Sequence, residues 1–134
     1  MTDPTSVHVL VVEDEPSIRG SLVRLLGDCE FEVSSAETGE DALEFLKETR
    51  VDVAVVDIRL PGMDGDDMIL KAHAIRPQLR YVIFTGSMEF QLPPSLRDLG
   101  MCLEDVLLKP LPEVKVLVDA IRQVMNRGCD STIA

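Results

Sequence analysis

Four short segments of the chain end in side chains that could do chemistry together. Glu13 and Asp14 follow VLVV, Asp57 follows VDVAVV, Thr85 follows YVIF and Lys109 follows VLL. Crowded carboxylates raise one another's pKa unless a cation intervenes. A hard divalent ion such as Mg2+ relieves that repulsion, because it takes one or two protein carboxylates and keeps positions for water and phosphate oxygens. A lysine can then act as a point charge on a phosphate oxygen, and a carboxylate can serve as nucleophile. The set reads as a phosphoryl-handling site. Asp57 is the best nucleophile, because it ends the most apolar segment of the chain, where a carboxylate has no structural reason to be. The turn LPGMDG after it would bend the chain sharply and leave the backbone open to a metal.

These residues are far apart in sequence, so the fold must gather them. Short apolar runs alternate with amphipathic segments along the chain. Strands are expected over His8–Val12, Phe31–Ser35, Asp52–Val56, Tyr81–Phe84 and Val106–Leu108. Helices are expected over Pro16–Leu26, from Thr38 onward, over Asp64–Ile75, over a short piece between Pro93 and Leu99, and over Glu113–Arg127. Gly27 would stop the first helix, with Ile18, Leu22, Leu25 and Leu26 on its inner face. Thr38 would cap the second, with Asp41 at the third position. Strands that alternate with helices and lack polar alternation imply an α/β fold, a doubly wound parallel sheet of five strands with helices on both faces. Ligands of such sheets bind outside the carboxyl ends of the strands, where strand order reverses. That is where every residue of the set would lie.

Bulk properties narrow the functions. The chain of 134 residues suits one domain, and its net charge of -11 argues against direct nucleic-acid or anionic-membrane binding. No basic-then-apolar leader opens the sequence and no apolar run is long enough to span a bilayer. Cys29, Cys102 and Cys129 are isolated and not at metal-ligand spacing, so the expectation is two small core residues and one tail thiol in a reducing cytoplasm.

The succession VLVVEDE, VAVVDIRLPGMDG, VIFTGS and LLKP resembles the receiver domain of two-component response regulators, over about His8 to Arg127. The resemblance implies a flavodoxin-like strand order 2-1-3-4-5, with the receiver domain over 1–127 and a polar C-terminal tail over 128–134. It implies that Asp57 accepts a phosphoryl group from a phosphohistidine. Asp14, Asp57 and the backbone carbonyl of Arg59 would hold Mg2+, with Glu13 binding directly or through water. Lys109 would pair with a phosphoryl oxygen, and Thr85 would swing its hydroxyl toward it. Pro110 would follow a cis peptide. The α4-β5-α5 side would change shape and alter partner binding. The implied partners are a sensor histidine kinase or phosphotransfer protein, docking near Ile18, Arg19 and Leu22, and an effector left unspecified. A homodimer stays open.

Two features depart from that family pattern. The switch aromatic, three residues before the lysine, is Val106 here, leaving Phe84, Phe90 and Tyr81 as aromatics that could report the state. Pro93 and Pro94 forbid a regular helix before Ser95, so the fourth helix should be short or late. Two other functions compete. One is a phosphorylation-independent interaction module that keeps the fold. The other is a Mg2+-dependent phosphohydrolase with an aspartyl-phosphate intermediate, which would want a second Asp where Arg59 stands. The expectation is a signalling switch that is not an enzyme beyond phosphorylating itself from phosphodonors and shedding the group again. His8 and His73 have no ligand company and read as structural.

Overall fold

The computed structural model describes residues 7–86, 90–109 and 113–127. Five strands, β1 (His8–Val12), β2 (Glu32–Ala36), β3 (Val53–Val56), β4 (Arg80–Thr85) and β5 (Val106–Leu108), form one sheet in the order β2-β1-β3-β4-β5. Every pairing is parallel, with Val12 opposite Val56 and Thr85 opposite Leu108. The helices are α1 (Pro16–Asp28), α2 (Gly39–Glu48), α3 (Gly65–Ile75), α4 (Pro94–Arg97) and α5 (Val114–Arg127), with a 3-10 turn over Leu103–Asp105.

Strand side chains alternate between the two faces, and each face builds its own core. Leu10, Val12, Ala54, Val56, Tyr81 and Ile83 pack with Ala42 and Leu46 of α2, Met68 and Ile69 of α3, and Leu96 of α4. Val9, Val11, Val53, Val55, Val82 and Phe84 pack with Leu22 and Leu26 of α1 and with Leu117, Ile121 and Val124 of α5. Strand order reverses between β1 and β3, so the two halves of the chain open a crevice at that point.

Local signals explain most boundaries. Proline at the first turn suits α1, where its missing N–H costs nothing. Thr38 Oγ1 accepts the Asp41 N–H at 3.0 Å, as its spacing requires. Pro93 precedes α4 and Pro94 opens it, and the helix is four residues long.

Three expectations needed correction. Gly27 does not stop α1, which runs on to Asp28. The stop is a Schellman turn: Glu30 N–H donates to Gly27 O at 3.0 Å and Phe31 N–H to Leu26 O at 3.2 Å, with Glu30 at φ 72°. A glutamate therefore occupies the left-handed position that glycine usually takes. Leu25 is not an inner residue of α1 but is 40% exposed. It lines a groove between α1 and α5 with Ile18, Leu22, Phe84 and Val114. Cys102 is exposed and Cys29 half-buried, so neither is a full core residue. Pro110, Cys129 and the tail over 128–134 lie outside the described residues.

His8 is structural. Its Nε2 sits 2.8 Å from Ser34 Oγ and its Nδ1 3.1 Å from Arg50 O, tying β1 to β2 and to the loop before β3. Among the described residues, no helix is long and apolar enough to cross a membrane.

Candidate functional site

Four of the five strands, β1, β3, β4 and β5, deliver the set at their carboxyl ends. β1 ends at Val12, and Glu13 continues its ladder, donating its N–H to Ala36 O at 3.1 Å. β3 ends at Val56, and the Asp57 N–H donates to Val12 O at 3.0 Å, so the two acidic residues leave neighbouring strands side by side. Thr85 closes β4 and is fully buried. Lys109 follows β5, with its N–H donating to Thr85 O at 2.9 Å.

The chain after Asp57 is folded back tightly. Gly62 takes φ 77°, and the Gly65 N–H donates to Ile58 O at 2.8 Å. A Cβ on Gly65 would lie 2.3 Å from the carbonyl oxygen of Asp57. Only glycine lets α3 begin this close to the strand end that carries the carboxylate.

The side chains converge. Lys109 Nζ donates to Glu13 Oε1 at 2.8 Å and to Asp57 Oδ2 at 3.0 Å. The other oxygen of Asp57, Oδ1, accepts the Arg59 N–H at 3.2 Å, and Glu13 Oε2 accepts the Glu15 N–H at 3.2 Å. Glu13, Asp14 and Asp57 each bring a carboxylate oxygen within 4.8 Å of the others. Glu13 and Asp57 are buried and Asp14 is exposed, so the cluster is closed beneath and open toward solvent.

Electrostatics follow from this burial. Desolvation pushes the Glu13 carboxyl above its ordinary range and the Asp57 charge adds to that, against the hydrogen bonds from Lys109 and the Glu15 amide. Burial by itself would lower the Lys109 amine, but its hydrogen bonds to Glu13 and Asp57 outweigh that and leave it raised. Lys109 is thus firmly protonated between two carboxylates.

The structure brings Glu13, Asp14, Asp57 and Lys109 together and sets Thr85 beside Lys109 through the backbone. Glu13 is more central than sequence reasoning made it, since it pairs with Lys109 at least as closely as Asp57 does. The Arg59 amide, not only its position, faces Asp57. Two contacts had no signal in the motifs. The Lys109 amine lies 5.4 Å from the centre of the Phe84 ring, and Arg19 reaches back from α1 to the acidic loop. Of the suggested docking residues on α1, Leu22 is buried and Arg19 is turned inward. Among the three aromatics, Phe84 touches the site, whereas Tyr81 lies on the opposite face of the sheet and Phe90 packs against the core of that same opposite face.

A doubly wound sheet with carboxylates and one lysine at its switch point defines a class of acidic-pocket α/β domains. Residues 9–122 match the response regulator receiver domain family, and the chain belongs to that family. Its members are phosphoacceptor signalling domains of two-component systems, which work with histidine kinases and effector domains and bind Mg2+ in an acidic pocket. The chain is 32% identical to the response regulator GacA of Pseudomonas aeruginosa over 120 residues, covering 88% of this chain and 55% of that protein. A CheY-like receiver domain protein from Methanospirillum hungatei superposes with TM-score 0.77 at 23% identity, covering 94% of this chain and 98% of that one. The response regulator TrrA of Thermotoga maritima, solved in complex with Mg2+-BeF, superposes with TM-score 0.76 at 23% identity, covering 88% of this chain and 98% of that one. The chain spans 27% to 55% of the length of the curated relatives compared with it.

Proposed function

We propose that this domain accepts a phosphoryl group on Asp57 with the help of Mg2+, and that the modification shifts the α4-β5-α5 side between two arrangements. One observation carries the reading: a protonated Lys109 bridges Glu13 and Asp57 at 2.8 and 3.0 Å, with Asp14 in the same cluster. The donor set fits the cation, because every side chain offered is a hard oxygen ligand and the exposed Asp14 leaves room for water. Asp14 and Asp57 would hold it with the Arg59 carbonyl, and Glu13 would act directly or through water.

A carboxylate oxygen of Asp57 forms a bond to phosphorus as the bond from phosphorus to the imidazole nitrogen of the donor histidine breaks; the leaving imidazole then takes a proton from solvent. Mg2+ when bound supplies charge neutralisation for the transferring group. Lys109 passes from Asp57 Oδ2 to a phosphoryl oxygen, and the Thr85 hydroxyl turns to another. Hydrolysis in place returns the carboxylate. The donor would be a sensor histidine kinase or a phosphotransfer protein in the cytoplasm, and a ratio between two arrangements inverts for a few kcal/mol.

The phosphohydrolase reading is disfavoured by Arg59, whose exposed side chain stands where a general acid would be needed. Intact-mass measurement after incubation with Mg2+ and acetyl phosphate separates the readings. The expected result is one added phosphoryl group, lost in Asp57→Asn and in EDTA. Unchanged mass in a folded protein would favour the interaction module, and rapid turnover of a phosphate ester would favour the hydrolase.

A further inference from the structure

Arg19 lies one turn into α1, with its N–H bonded to Glu15 O at 2.9 Å. Helical side chains lean toward the helix N-terminus, and its guanidinium follows that lean back to the loop between β1 and α1. Nη1 donates to Glu13 O at 2.9 Å and lies 3.4 Å from Asp14 O. Nη2 lies 3.9 Å from Glu37 Oε2. The Arg19 side chain is 18% exposed and that of Glu37 68%, so the ion pair is screened by solvent, while the contact with Glu13 O is half-buried and the longer one with Asp14 O is exposed.

The loop gripped in this way bears two of the three clustered carboxylates. The Glu13 carboxylate is fixed independently by Lys109 and the Glu15 amide. The Asp14 carboxylate is exposed and makes no hydrogen bond or ion pair among the described residues. Its backbone aims the Cα–Cβ bond and limits the rotamers open to it, and the Asp14 carbonyl is one of the two that Arg19 faces.

We infer that Arg19 is a positioning residue for the acidic pocket, holding the Glu13–Asp14 backbone so that the Asp14 carboxylate is preset toward the cation. This rests on the reading of the pocket as a Mg2+ site. Two effects of Arg19 on Mg2+ oppose each other. Its charge repels the cation, while its grip removes the cost of ordering the loop at binding. Positioning requires that the grip outweigh the charge.

Lysine keeps the charge but ends one bond short of the Nη1 position that meets both carbonyls, and methionine loses the charge and the donor. Calorimetric Mg2+ titration should show Arg19→Lys weakened about tenfold, with Arg19→Met also weaker than wild type but by less, because the lost charge partly compensates. In the metal-free protein, the Glu13 and Glu15 amides should exchange with solvent faster in both variants, while amides in the middle of β3 and α3 keep their protection. An Arg19→Lys protein equal to wild type, or an Arg19→Met protein that binds Mg2+ more tightly, would show that charge alone matters and would overturn the inference. A loss of protection spread evenly over the domain would reduce Arg19 to a general stabiliser and overturn it as well. Wild-type protein that takes up no Mg2+ at millimolar concentration would instead overturn the reading of the pocket itself, and the metal-free exchange data would then record only whether Arg19 holds the loop.

Discussion

Strands β1 and β3 run through backbone whose side chains are at most 1% exposed from Val9 to Val12 and from Val53 to Val56, and each hands a carboxylate to the pocket at its end. At the sheet edge beyond β4, β5 is three residues long, its side chains are half-buried or exposed, and α4, which packs against α3, is a single turn. Leu103 and Leu108 there are 65% and 44% exposed. The chemistry is thus anchored in the most tightly packed part of the sheet, and the neighbouring edge is thinly packed. Packed strands suit a site that must hold charges in fixed geometry. Thin packing would suit the proposed response of this face, since few buried contacts mean a small cost of rearrangement. Lys109 joins the two: its backbone continues the β5 edge, and its amine lies in the pocket.

The contrast breaks most readily at Gly65. Alanine there would drive a methyl into the Asp57 carbonyl, and the atoms in its way are backbone. Gly65→Ala should lose about 3 kcal/mol in urea unfolding, whereas Leu103→Ala, on the open edge, should stay within about 0.5 kcal/mol of wild type. Equal effects would erase the distinction between the two regions.

Removing the Lys109 amine tests the join. Lys109→Met leaves Glu13 and Asp57 facing each other without their cation, and should cost about 2 kcal/mol at pH 7. The pH dependence fixes the cause. The folded pKa of Glu13 is raised, so its contribution to stability is fully present below 4.5 and is lost as pH rises through the folded value. Without the amine that value rises further, and the deficit of Lys109→Met should shrink as pH falls toward 4.5. Glu13→Gln should remove this part of the pH profile. The raised Lys109 pKa works at the other end: its contribution is present below 10.5 and is lost as pH climbs through the higher folded value, a loss that Lys109→Met should lack. A deficit independent of pH would point to lost packing.

The smallest effect sharpens the picture of the rigid half. Glu30 holds a left-handed conformation that costs an L-residue about 1 kcal/mol. Glu30→Gly should raise the midpoint of thermal unfolding, by roughly 0.5–1 kcal/mol in stability, without touching the pocket.

Much of this was legible in the sequence. Continuous apolar runs ending in Glu13, Asp57, Thr85 and Lys109 specify both parallel strands and what their ends carry, because one pattern serves burial and function together. The paired prolines at 93 and 94 announced a truncated α4. The stop of α1 was misread because a Schellman turn is defined by its hydrogen bonds, and here glutamate occupies the position that glycine usually marks. The centrality of Glu13 and the grip of Arg19 were hidden for a different reason. Both depend on where a long side chain points, toward Lys109 96 residues away or back over a helix start, and spacing along the chain does not encode that direction.

The central claim is that charge placed at Asp57 is felt at the thin edge through Lys109. The direct measurement is a 1H–15N comparison of the protein alone and with Mg2+ and beryllofluoride. The account predicts shifts at Asp57, Thr85 and Lys109 that continue through Leu103–Leu108 and α4, with β2 and the body of α2 unmoved. Shifts that stop at the loops around Asp57, or that run into β2 while the β5 edge stays still, would contradict it.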